Sequence, residues 1–225
     1  AYDGSPTPPT AAGTYAVALR SNAPARQFWK PFLTAGEPAL ICVAPVGGGP
    51  GGGGGTAEAG EMMAATRLAA YITEKGGPHR IVGGERELPT RLKAAPLILV
   101  GRVARERAES ARVPLRFVLG SENGVGFIEE LGGAGRRWRV PEGSPDEDYA
   151  LVAWLREPRT GRPVMLIAGL GAAGTWAAGK LLAKSGHLSE ALRPLTEDWP
   201  SRNVQLVLKV RVRQGQPEWP EVVAA

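Results

Sequence analysis

Glycine spacing carries most of the chemistry that this sequence could perform. Gly169-Leu-Gly171-Ala-Ala-Gly174 follows the apolar run Val164–Ala168 and precedes an Ala-rich segment that reads as a helix. A strand, a glycine turn and a helix N-terminus in that order aim backbone N–H groups and a partial positive charge at one spot. The same spacing suits the close approach of a pyrophosphate. Gly169, Gly171 and Gly174, with the hydroxyl of Thr175, are therefore the candidate anion site. The acidic residue that would hold a ribose is missing: Arg193 and Pro194 stand about 20 positions on, where it belongs. The competing reading is a turn that needs glycine only for packing. Asp148 and Tyr149 begin the strand expected to pair with Val164–Ala168, so at the open end of that hairpin they border the turn. The Asp148 charge would then disfavour an incoming anion and leave the turn structural.

Other constellations are incomplete. Gly174-Thr-Trp-Ala-Ala-Gly179-Lys180 nearly spells a phosphate loop, but Leu181 stands where a magnesium-binding Ser or Thr is required. The final strand, Val204 to Val212, holds no aspartate for a metal. Gly47 to Gly55 has no following Lys-Ser/Thr and reads as low-complexity loop. In Gly120-Ser-Glu-Asn-Gly124 the serine comes one position too early for a nucleophile elbow. His79 and His187 have no metal-ligand spacing to another His or Cys. The acidic Pro145-Asp-Glu-Asp148 could attract a cation but reads first as a solvated loop. Cys42, the single cysteine, lies in the apolar Leu40–Val43 run and reads as core. No cofactor and no metal are expected.

The chain of 225 residues is long enough for one sizeable core, and its hydrophobic fraction of 43% is ordinary. The net charge is +5 and the pI about 9.7. Arg136-Arg137-Trp138-Arg139 and Lys209-Val-Arg-Val-Arg213 are the densest basic clusters. On a strand, Lys209, Arg211 and Arg213 share one face, most simply a solvated one. No nucleic-acid-reading motif accompanies this charge, so direct nucleic-acid binding is not expected. No apolar run reaches the length of a membrane span.

Residues 1–27 read as a linker or N-terminal arm, and 28–225 as a single α/β domain. Phe28-Trp-Lys-Pro-Phe32 looks like an aromatic clasp. Strands are expected at Ala39–Ala44, Arg80–Val82, Leu97–Val100, Leu115–Leu119, Arg137–Val140, Tyr149–Leu155, Val164–Ala168 and Val204–Val212. Helices are expected at Glu61–Lys75, Glu85–Lys93, Val103–Ala111 and 172–184. Gly120 to Gly126 turns, with Phe127 to Glu130 expected to pair as a hairpin, and Pro158-Arg-Thr-Gly161 closes a 149–168 hairpin. The fold class is α/β: a three-layer, Rossmann-like, mostly parallel sheet with an antiparallel hairpin portion.

Several phrases recur together: Phe28-Trp-Lys-Pro-Phe-Leu33, Pro38-Ala-Leu-Ile-Cys-Val43, Ala95-Pro-Leu-Ile-Leu-Val-Gly101, Asp148-Tyr-Ala-Leu-Val152, Glu157-Pro-Arg-Thr-Gly161 and Ala168-Gly-Leu-Gly-Ala-Ala-Gly-Thr-Trp-Ala-Ala-Gly179. In that order, from about Phe28 onward, they resemble a poorly characterised domain common in acidobacterial proteins. That domain is often the C-terminal region of membrane-anchored proteins with a cytoplasmic winged-helix segment. The resemblance implies a ligand-sensing or interaction module, extracytoplasmic, with a protein partner or a second copy, and membrane-associated through a partner or an anchor. The chain departs from it in two loops. Polyglycine follows the first strand, and Gly101-Arg-Val-Ala-Arg-Glu replaces an Asn-rich loop, so polar chemistry is lost at two strand ends. The function expected is a non-enzymatic binding module, sensor-like or an accessory subunit. The rival is a nucleotide- or dinucleotide-dependent enzyme that uses the glycine turn.

Overall fold

A computed structural model describes residues 22–34, 36–44, 55–83, 95–110, 115–133, 135–142, 144, 146–158, 160–195, 198–199 and 202–225. The expected helix Glu85–Lys93, most of the polyglycine loop and the first 21 residues lie outside them. Four short apolar segments build the centre: β1 (Ala39–Val43), β3 (Leu97–Val100), β8 (Pro163–Gly169) and the longer β7 (Glu147–Arg156). Ala39–Val43, Leu97–Val100, Val164–Ala168 and the Ala150–Leu155 part of β7 are uninterrupted apolar runs because the sheet is covered on both faces. The edge strand β2 (His79–Gly83) lies beside β1. Beyond β7 come β9 (Val204–Arg213), β10 (Gln216–Pro217) and β11 (Glu221–Ala224), the last two both paired with β9.

This is α/β architecture, but the sheet is mixed rather than mostly parallel. The order is β10-β9-β7-β8-β3-β1-β2, with β11 also on β9. Strands β2, β1, β3 and β8 are mutually parallel, with Leu40 opposite Leu97 and Leu97 opposite Val164. Strands β7, β9, β10 and β11 join antiparallel, with Ala150 opposite Gly169. The reason is connection length. The turn at Glu157–Arg162 and the two-residue turn at Gln214-Gly215 can join only antiparallel neighbours.

One face packs on helices α1 (Ala23–Leu33), α2 (Gly55–Glu74), α4 (Ala172–Leu182) and α5 (Ser185–Leu192). Small residues let α2 approach α4 closely. A Cβ on Gly60 would collide with the Ala172 backbone, and one on Gly179 with Ala64. The aromatic phrase Phe28–Phe32 does pack against the body, with Phe28, Trp29 and Phe32 buried, but as part of α1, which starts at Ala23, inside the stretch read as an arm. Pro31 lies within that helix and hid it from sequence reasoning. Two bonds tie α1 down: Trp29 Nε1 donates to the Leu182 carbonyl at 3.0 Å, and the Ala25 N–H donates to Ser189 Oγ at 3.2 Å.

The other face carries α3 (Arg102–Ser110) and a separate antiparallel sheet of β4 (Phe117–Glu122), β5 (Val125–Glu130) and β6 (Arg137–Arg139). The broad turn expected at Gly120–Gly126 is really the two residues Asn123 and Gly124, both at positive φ, with paired strand on either side. Gln205 of β9 staples this small sheet to the large one. Its Oε1 accepts from the N–H groups of Arg116 at 2.7 Å and Phe117 at 3.0 Å, and its Nε2 donates to the Phe117 carbonyl at 2.7 Å. Cys42 is fully buried on this face of β1.

Candidate functional site

The C-terminal ends of β3 and β8 lie side by side, and the helices that follow leave on opposite faces of the sheet. In open α/β sheets this is where a ligand finds two helix N-termini converging. Strand β8 ends at Gly169, and Gly171 is the N-cap of α4. Gly169 is required sterically: a Cβ there would collide with the Gly171 carbonyl oxygen and the Thr175 nitrogen. Gly174 is required equally, since a Cβ would meet the Tyr149 carbonyl oxygen. Thr175 faces back into the turn. Its hydroxyl oxygen accepts from the Gly169 N–H at 2.9 Å and donates to the Gly171 carbonyl at 3.3 Å.

The structure brings Gly169, Gly171, Gly174 and Thr175 together, and it puts Asp148 in the middle of them. Asp148 lies at the start of β7, beside the end of β8. Its Oδ1 accepts from the Gly171 N–H at 3.0 Å and from the Tyr149 N–H at 2.7 Å. Its Oδ2 accepts from the Gly174 N–H at 2.6 Å. The carboxylate thus takes the two donors of the turn that a phosphate oxygen would use. Asp148 is 5% exposed. Burial pushes its carboxyl above the usual aspartate range, while the three N–H donors and the Arg105 charge pull the other way. Arg105 of α3 reaches across the crevice and donates to the Gly169 carbonyl at 2.7 Å.

The second helix end has the same design, and sequence reasoning missed it. Glu61 of α2 is buried, and its Oε1 accepts from the Arg102 N–H, at the start of α3, at 2.7 Å. Gly101 makes room for it: φ is +67°, and a Cβ would collide with the Glu61 carboxylate. The signal available was a charge at the head of an otherwise apolar stripe, Glu61, Ala65, Leu68 and Ile72. Both helix N-termini at this crevice therefore face a carboxylate from the chain itself.

The remaining candidates are dispersed. Gly174 to Lys180 are helical throughout, within α4, so they form no phosphate-cradling loop. Lys180 Nζ donates to the Pro217 carbonyl at 3.0 Å and lies 4.6 Å from the centre of the Trp219 ring, away from the turn. Of the acidic stretch expected as a solvated loop, Glu147 and Asp148 belong to β7, and Glu147 pairs with Lys209 at 2.7 Å and accepts from the Tyr149 hydroxyl. Lys209 is thereby removed from the basic face read along β9. His187 lies in the first turn of α5, stacked on Trp219 with ring centres 3.9 Å apart. Among the described residues, no three His, Cys, Asp or Glu side chains are placed to hold a metal ion, and no helix is long and apolar enough to cross a membrane. Compared with known families, with characterised proteins and with solved structures, the chain matches none.

Proposed function

We propose that this chain is a non-enzymatic binding or interaction module, a sensor-like domain or accessory subunit that works docked on a larger assembly. The observation that carries the reading is the Asp148 carboxylate on the Gly171 and Gly174 N–H groups. A phosphate entering the turn would have to displace a carboxylate held by three backbone donors and would meet its charge at contact distance. That repulsion opposes the helix-end attraction of roughly 0.3–2 kcal/mol. Glu61 guards the second helix end in the same way. The nucleotide-dependent alternative thus lacks a free anion site at the place where its fingerprint points.

On this reading the parallel half of the sheet is a Rossmann-like frame whose ligand crevice has been closed from within. The resemblance to the acidobacterial sensor-like domain supports a protein partner or a second copy, and an extracytoplasmic, membrane-associated setting. Native mass spectrometry of the chain purified with its partners tests the proposal. A defined protein complex, with no added cofactor mass, is expected. A stoichiometric nucleotide or dinucleotide mass would overturn it.

A further inference from the structure

We infer that the groove between α1 and the C-terminal end of α2 is a docking site for an acidic, partly apolar peptide segment of a protein partner. This rests on the interaction-module reading and names the partner's chemistry. The groove has a volume of about 490 Å³ and is open to solvent. Arg26, Lys30 and Lys75 line it, over a floor that includes Leu33 and Tyr71, and among the described residues no Asp or Glu belongs to the lining. Arg26 and Lys30 are one helical turn apart on α1, an arrangement in which like charges repel. Neither side chain is ion-paired among the described residues, whereas Lys75 shares its charge with Glu74 at 2.7 Å. An acidic occupant would relieve this repulsion, and an apolar side chain beside its acids would cover Leu33 and the Tyr71 ring.

The walls are fixed in advance. Trp29 and Ala25 anchor α1, and the Tyr71 hydroxyl is hydrogen-bonded to Ser185 Oγ at 3.0 Å. Charge argues against occupants from the chain itself. The 22 residues before α1 contain one acid, Asp3. A second copy would bring a further net charge of +5. The acidic residues at the start of β7, Glu147 and Asp148, are engaged internally. The open shape suits an extended or helical peptide rather than a small molecule, which needs an enclosing cavity.

The test uses the full chain with four probes, each followed by amide chemical shifts. They are a twelve-residue peptide alternating Glu and Leu, the matching Lys–Leu peptide, phosphatidylserine vesicles and NAD. The Glu–Leu peptide should give saturable shifts confined to α1 and the end of α2, and the Lys–Leu peptide none. Arg26→Glu/Lys30→Glu should weaken binding about tenfold, as should high salt. Both side chains are exposed, so the variant should fold. If its spectrum collapses, Arg26→Gln/Lys30→Gln replaces it, with a smaller expected loss. Absence of saturable Glu–Leu binding, shifts elsewhere, or vesicle binding in place of peptide binding overturns the assignment. If NAD also leaves Gly171 to Thr175 unmoved, only the groove assignment has failed. If NAD saturates those residues, the interaction-module reading has failed with it.

Discussion

Replacing Asp148 with alanine should destabilise the chain by about 3 kcal/mol. The Gly174 and Tyr149 N–H groups are buried and lose their acceptor, at roughly 1–3 kcal/mol each. The Gly171 N–H loses its acceptor as well, but Gly171 is exposed and water can replace the carboxylate there. The favourable charge at the start of α4 adds about 1 kcal/mol to the loss. Opposing these is the cost of burying the carboxylate, visible in its raised pKa, which brings the net down to about 3 kcal/mol, the low end of the summed losses. Asp148→Asn keeps one oxygen acceptor but turns an NH2 group toward a backbone donor, so about half the loss is expected. The assay is equilibrium urea unfolding, with the midpoint falling and the slope unchanged. A loss below about 1 kcal/mol for the alanine variant would refute the claim that Asp148 holds the turn together.

Further outcomes follow from the packing and the charges. Gly179→Ala should cost roughly 1–3 kcal/mol because its Cβ meets Ala64 across the α2–α4 contact, whereas Gly186→Ala, which meets nothing, should stabilise by about 0.4–1 kcal/mol; thermal or urea unfolding of the pair checks the contrast. Gln205→Ala should cost about 2–3 kcal/mol and raise hydrogen exchange at Phe117, since three backbone groups lose their partner together. Hydrogen bonds from Arg136 and Arg116 hold the Glu130 carboxyl below its ordinary range, and one from Lys209 does the same for Glu147. Their stabilisation is present above the unfolded value of about 4.3 and is lost as pH falls through the lower folded values. Asp148 has the opposite sign: its pKa is raised, so its contribution is fully present below about 3.9 and is lost as pH rises through the folded value. Stability measured against pH should therefore fall in acid for the wild type, less steeply for Glu130→Gln and more steeply for Asp148→Asn.

Much of the large sheet was legible because its central strands are buried on both faces. Leu40–Val43, Leu97–Val100 and Val164–Ala168 cannot be mistaken for amphipathic segments. The 149–168 hairpin was legible through Pro158 and Gly161. The share of antiparallel pairing was not, because β10 and β11 are two and four residues long and carry little pattern. The position of β4–β6 on the second face was also hidden, since it depends on Gln205, a polar residue among apolar neighbours whose partners lie 88 and 89 residues away. At the candidate site, the glycines and Thr175 were readable from spacing, and the nearness of Asp148 from the hairpin. What spacing could not supply was the aim of its carboxylate, which depends on β7 entering the sheet with Asp148 just past the end of β8.

The central claim is that the anion site of the glycine turn is occupied by the chain itself. Titration with inorganic phosphate and NAD, following the amide signals of Gly171 to Thr175, tests it most directly when the wild type and Asp148→Ala are compared side by side. The wild type should show no saturable shift below about 1 mM, and the variant, its helix end uncovered, should bind phosphate in the millimolar range. Saturable binding of either anion to the wild type at these residues would contradict the account.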